Sequence, residues 1–192
     1  MSDEQVEMAG VEDLHAWLTD HHASSDGAWL VRWKKGRGPY VANEDLVCAL
    51  LVHGWIDGQA RGVDDDTWVM RITPRRPGSG WSRVNKERVA RLVAEGRMLP
   101  AGAAAVERAR ADGSWSALDE VELLLEPDDL RTALDAVPAA RVAWEAFPPS
   151  ARKVLLTWVG SARTTATRER RVTAVVSEAA QGRRANQPDR SR

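Results

Sequence analysis

Between residues 11 and 22 the apolar positions Leu14, Trp17 and Leu18 recur at helical spacing, ahead of the polar break Ser24-Ser25-Asp26-Gly27. That spacing predicts a short amphipathic helix. The period then changes. Over residues 28–34, Trp29, Val31 and Trp33 alternate with Leu30, Arg32 and Lys34, the signature of a half-buried strand. Asn43 reads as the N-cap of a helix whose apolar face is Leu46, Val47, Leu50 and Leu51, ended at Gly54. Residues 56–61 and 67–73 read as two strands joined by a Gly- and Asp-rich turn, a hairpin. Ser82 reads as the cap of a further helix, and Pro100-Ala101-Gly102 opens another over 103–111.

Beyond residue 114 the pattern is helical throughout. A connector over 114–126 leads into helices expected at 127–136, 138–146, 149–159 and 164–180, with proline at three of the starts. These elements predict an α+β chain: a small antiparallel sheet of about three strands covered by helices, followed by an all-helical C-terminal subdomain. The expected division is an α+β domain over 1–114, a helical subdomain over 127–182 and a disordered tail over 183–192, the last because it is polar and lacks apolar anchors.

Composition changes this picture in two respects. Nine tryptophans stand against one Phe and one Tyr, so aromatic burial falls almost wholly to indoles. A single cysteine, Cys48, excludes an internal disulfide framework and a multi-thiolate zinc site, and suits a reducing compartment. The first ten residues have neither a basic nor an apolar signal region, and no stretch has the apolar length of a membrane span, so the expectation is a cytoplasmic protein without membrane insertion.

Charge is segmented although the net value is -1. Residues 1–26 carry seven acids and no Lys or Arg, whereas residues 151–192 carry ten bases and three acids. Mutual pairing of such blocks on folding accounts for them better than a nucleic-acid surface, so nucleic acid is not the expected partner.

The block from Trp55 to Asn85 mixes indoles with Asp, Gln, Asn and Arg in a way that a core alone does not require. If the polar residues of the hairpin share a face, Trp55, Asp57 and Gln59 flank one polar surface, with Arg75 and Arg76 leaving the second strand beside it. Arginine grips carboxylate and phosphate by paired hydrogen bonds, and tryptophan stacks on planar groups. The expected ligand site is therefore Trp33, Trp55, Asp57, Gln59, Arg75, Arg76, Trp81 and Asn85, taking a small anionic ligand or a protein partner. The bland alternative is that these indoles fill the gap between sheet and helices while Asp57 fixes an arginine.

No catalytic constellation stands out, since Ser82 is accounted for as a cap and has no His–Asp partner nearby in sequence. His21-His22 reads as a solvated helix end rather than a metal site, and His53 as a complement to a helix C-terminus. No cofactor or metal is expected. The basic residues Arg163, Arg168, Arg170 and Arg171 read as the solvated face of a packed helix.

The motifs Trp55-Ile56-Asp57-Gly58, Thr73-Pro74-Arg75-Arg76, Trp81-Ser82 with Asn85, and Gly96 to Gly102 resemble the YdeI/OmpD-associated family. Phe147-Pro148-Pro149-Ser150, Trp158 and the Ala162-Arg163…Thr167-Arg168…Arg171-Val172 pattern resemble its C-terminal, bacteriocin-protection region. Arg163 and Ala166 depart from the family pattern, in which a lysine and a glutamate are expected. The resemblance implies a stress- or bacteriocin-protection role and an association with a porin, and it implies no reaction. The functional expectation is a non-catalytic accessory protein; the alternatives are an enzyme acting on a small anionic substrate at the same cleft, or a nucleic-acid-associated protein using the basic C-terminal helix.

Overall fold

A computed structural model describes residues 4–186. The chain divides into two compact units, residues 1–117 and 118–192. In the first unit the elements run β1 (Gln5–Val6), α1 (Val11–His21), β2 (Ala28–Trp33), α2 (Asn43–Val52), β3 (Trp55–Gly62), β4 (Thr67–Pro74), α3 (Arg83–Ala94) and α4 (Pro100–Ala111). The strands form one sheet in the order β1-β2-β4-β3. It has four strands rather than three, and it is mixed, because β1 joins β2 in parallel while the other pairings are antiparallel. A two-residue strand is too short to leave any period in the sequence.

Strand register decides what the two faces carry. Ala28, Leu30 and Arg32 on β2 stand opposite Ile72, Met70 and Trp68 on β4, and Trp55 and Asp57 on β3 stand opposite Pro74 and Ile72. Directly paired residues share a face, and this is the face that helices cover. Leu30 and Ile72 are fully buried there, with Met70 and Trp55 nearly so. Trp29, Val31 and Trp33 therefore lie on the opposite side, half-buried. Arg61 and Arg71 roof Trp29 there, with guanidinium carbons 4.3 and 5.8 Å from its ring centroid.

The expected polar hairpin face does not form. Asp57 follows Ile72 to the helix side, whereas Arg71 and Thr73 pair with Trp29 and Ile56 on the other. A bulge between Asp57 and Ala60 sets two β3 residues, Gly58 and Gln59, against Arg71 alone. Such an insertion breaks the alternation that the sequence pattern assumed.

Helix α2 is buried without interruption from Leu46 to Val52 and forms the centre of the first core. A helix apolar all round belongs inside its unit. Its cap is Ala42 rather than Asn43, whose Oδ1 instead accepts a 3.0 Å bond from Arg32 Nη1. The same guanidinium donates through Nη2 to Val41 O at 2.6 Å, which gives this buried cation its partners. Ser82 caps α3 as expected, its Oγ accepting from Asn85 N at 3.3 Å. Arg88 and Arg91 of α3 both grip the Glu44 carboxylate of α2, which holds it down to about 2 from the ordinary 4.5. Two glycines let α4 dock on the end of α2. A Cβ on Gly102 would lie 2.5 Å from Val52 O, and one on Gly54, at φ +75°, would lie 2.9 Å from Ala101 O.

The second unit holds α5 (Asp119–Glu122), α6 (Asp128–Asp135), α7 (Pro138–Ala146), α8 (Pro149–Gly160) and α9 (Thr165–Ala179). Its core is Leu130, Leu134, Trp144, Leu155, Leu156, Val159, Val172 and Val175. Helix α5 falls within the expected connector, and Leu123 to Glu126 lead on to α6. Glu126 accepts from Trp144 Nε1 at 2.7 Å and from Arg141 Nη1 at 2.9 Å. Of the expected tail, Arg183 pairs with Glu178 at 2.7 Å and Ala185 is buried; residues 187–192 lie outside those described.

Candidate functional site

Strand β4 ends at Pro74, which has no N–H to extend the ladder. Arg75 N then donates to Gly54 O at 2.9 Å, and Gly78 N donates to Asp112 Oδ2 at 2.9 Å, so the loop folds back against α4. This return places the Arg75 guanidinium carbon 3.6 Å from the ring centroid of Trp81. Both residues are enclosed, at 6% and 1% exposure. Trp81 leans on Trp115, with centroids 5.0 Å apart, and Lys86 and Arg110 lie over Trp115 at 5.5 and 5.2 Å.

Cations outnumber carboxylates at this corner, with Arg75, Arg76 and Arg108 set against Asp112. Arg75 Nη1 makes a long 3.5 Å bond to Gly80 O, while Nε and Nη2 are buried without a partner. Burial pulls its pKa down to about 10, against the attraction of Asp57. Beside it is a cavity of about 10 Å³ walled by Arg75, Arg76, Trp81, Arg108 and Asp112. That is room for one water-sized atom. The Asp112 carboxylate is already committed, to Gly78 N and to Ser114 N at 2.9 Å each. Arg76 and Arg108 are exposed at the rim.

The structure brings together only part of the expected site. Arg75, Arg76 and Trp81 meet at this corner, with Asp57 near enough to act on Arg75 electrostatically. Trp55 is 1% exposed, edge-on to Trp17 at 5.5 Å, and its Nε1 donates to His22 O at 3.2 Å. Gln59 is exposed at the bulge. Asn85 Oδ1 accepts from Arg88 Nη1 at 2.8 Å. Trp33 pairs with Thr67 at the far end of β4 from Pro74, roughly 23 Å away at strand spacing. Its ring packs on Gly38 instead.

Sequence reasoning missed Trp115, Arg108 and Asp112. Asp112-Gly113 has the local chemistry of a turn at the end of α4, and nothing in it marks a return to the Arg75 loop. It also missed the convergence of three of the four histidines. His15 Nδ1 lies 3.3 Å from His53 Nε2, and the His22 ring centroid is 5.7 Å from that of His53. His53 is 4% exposed, and desolvation first, then His15 and His22, pull its pKa down to about 4. His15 shifts downward too, through burial and the Arg97 charge. Among the described residues no group of three or more His, Cys, Asp or Glu side chains is disposed to hold a metal ion, and no helix is long and apolar enough to cross a membrane.

In the second unit the basic helix is partly spent on its own structure. Arg168 clamps Asp129, with Nε to Oδ2 at 2.6 Å and Nη2 to Oδ1 at 2.9 Å. Arg171 donates to Trp158 O and to Ser161 Oγ, closing the end of α8.

These features define an α+β protein with a buried arginine–tryptophan corner joined in sequence to a helical unit. Residues 6–105 match the model of a family described as a domain of unknown function (DUF8412), and residues 125–182 match the family described as bacteriocin-protection, YdeI or OmpD-associated. The first match spans just over half of the chain, which belongs to that family and carries a bacteriocin-protection, YdeI or OmpD-associated region after it. The motifs of residues 55–102 that resemble the second family fall within the first match. No curated protein and no solved structure matches the chain.

Proposed function

We propose that this is a non-catalytic accessory protein of the bacteriocin-protection type, acting in the cytoplasm by holding an anionic group of a small ligand or protein partner at the Arg75 corner. One observation carries the reading: a guanidinium enclosed at 6% exposure whose Nε and Nη2 have no acceptor. An unpaired buried charge costs several kcal/mol, and an entering carboxylate or phosphate oxygen offsets that cost. A cavity of about 10 Å³ admits one oxygen and not a whole ligand. The remainder stays outside, where Arg76 and Arg108 face it. The family description supports the protective role, and the lone buried thiol Cys48 suits a reducing compartment.

Calorimetric titration of the whole chain with acetate and with inorganic phosphate tests the site. Saturable binding is expected, weakened about tenfold in the double variant Arg76→Ala, Arg108→Ala, whose exposed positions leave the fold intact. No saturable binding of either anion rejects the reading. Loss of tolerance to a bacteriocin on deletion of the gene, restored by the parent chain and not by the double variant, connects the site to protection.

A further inference from the structure

A second cavity, of about 240 Å³, lies in the first unit between α1, the end of α2 and the start of α4, lined by Thr19, His22, His53, Leu99, Pro100 and Ala101. It shares no lining residue with the Arg75 corner. Gly54 and Gly102 let α4 approach the end of α2, and the start of α4, from Leu99 to Ala101, faces His22 and His53 across the cavity.

Two of the lining side chains, His22 and Thr19, each keep an acceptor. His22 Nδ1 lies 2.9 Å from Leu18 O. A carbonyl only accepts, so Nδ1 carries the proton, and in the neutral ring Nε2 is left with its lone pair. Thr19 Oγ1 donates its proton to His15 O at 2.8 Å, which leaves that oxygen to accept. His53 Nε2 is engaged with His15 Nδ1. Leu99, Pro100 and Ala101 supply an apolar wall, and no Asp, Glu, Lys or Arg lines the cavity.

We propose that this cavity is a binding site for an uncharged single-ring ligand bearing a hydroxyl, a phenol, whose O–H donates to His22 Nε2 while the ring lies against Leu99, Pro100 and Ala101. The volume agrees with that class, since a cavity of about 150 Å³ already accepts benzene. A carboxylate has no proton to give the His22 Nε2 lone pair, so it lacks the hydrogen bond that fixes a phenol there. The two sites of the first unit therefore take opposite chemistries. Trp55 supports this one from beneath, its indole N–H holding His22 O at 3.2 Å.

The test is calorimetric titration of the whole chain at pH 7.5 with phenol, toluene and benzoate. Phenol is expected to bind at least tenfold more tightly than toluene, and benzoate more weakly than phenol. His22→Phe removes the advantage of phenol over toluene. Leu99→Trp, at a rim position 40% exposed, fills the cavity and abolishes binding of both without touching the histidines. Arg75→Met leaves phenol binding unchanged, which separates this site from the anion corner. Equal affinities for phenol and toluene in the parent chain, phenol binding that survives both His22→Phe and Leu99→Trp, or its loss in Arg75→Met overturns the proposal.

Discussion

Arg75 lies against the face of Trp81, 3.6 Å from guanidinium carbon to ring centroid, and it is a buried cation whose attraction to an indole replaces only part of what water supplied. Replacement by an apolar side chain of similar length removes the desolvated charge and keeps the contact with the ring. Arg75→Met is expected to leave stability unchanged or raise it by about 1–2 kcal/mol while abolishing anion binding. Arg75→Ala leaves a void beneath Trp81 and is expected to cost about 2–3 kcal/mol. Urea unfolding of both variants checks the contrast, and a large loss in Arg75→Met contradicts it.

Acid stability should fall in two windows. His53 has its folded-state pKa lowered from 6.5 to about 4, so below 6.5 the unfolded chain takes up a proton that the folded chain resists. Its contribution is complete above pH 6.5 and is lost as pH falls toward about 4, by about 2–3 kcal/mol. Glu44, lowered from 4.5 to about 2 by Arg88 and Arg91, adds a second loss as pH falls through that range. Urea titrations between pH 7.5 and 3 should show both, and His53→Gln should shrink the first, to which His15 also contributes, while leaving the second.

Trp55→Phe removes the N–H that holds His22 O and shrinks a fully enclosed side chain. The expected cost is about 2 kcal/mol, combining one hydrogen bond with a small cavity. The same variant should weaken phenol binding severalfold, because His22 loses its support. Thermal unfolding and phenol titration of one sample check both effects.

In the second unit, Glu126→Ala strands the Trp144 indole N–H, on a fully buried ring, and leaves Arg141 with Asp135 as its remaining carboxylate. A loss of about 2–4 kcal/mol is expected. Glu126→Gln keeps an acceptor for the indole and should recover about half of that difference. Guanidinium unfolding followed by circular dichroism distinguishes the two.

Much of the fold was legible locally. The Ser82 cap, the stop at Gly54, proline at the starts of α4, α7 and α8, and the strand periods of β2 and β4 each depend on a few neighbouring residues. The candidate site was half legible. Arg75, Arg76 and Trp81 belong to one return loop and meet at one corner, whereas Trp33 pairs at the far end of β4 and Gln59 is turned by the bulge in β3. The bulge after Asp57 inserts one residue and carries no sequence mark beyond a single Gly58. The local chemistry of Asn43 suits a cap, but Arg32, eleven residues earlier, takes its oxygen.

The order of helices and strands apart from β1 and α5, the α+β class, and the recognisable motifs of residues 125–182 were determined by the chain alone, because periodicity, caps and turn residues act over a few positions. Which face of the sheet is covered, which arginine is left without an acceptor, and which histidines meet were decided only by tertiary structure. Those outcomes depend on register and on contacts between residues 30 to 50 positions apart, such as Gly78 with Asp112 and His15 with His53. Packing selects among such pairings only after the local elements exist. Arg75 therefore reads as one of several arginines in sequence and becomes a buried, unsatisfied charge only when α4 and the return loop enclose it.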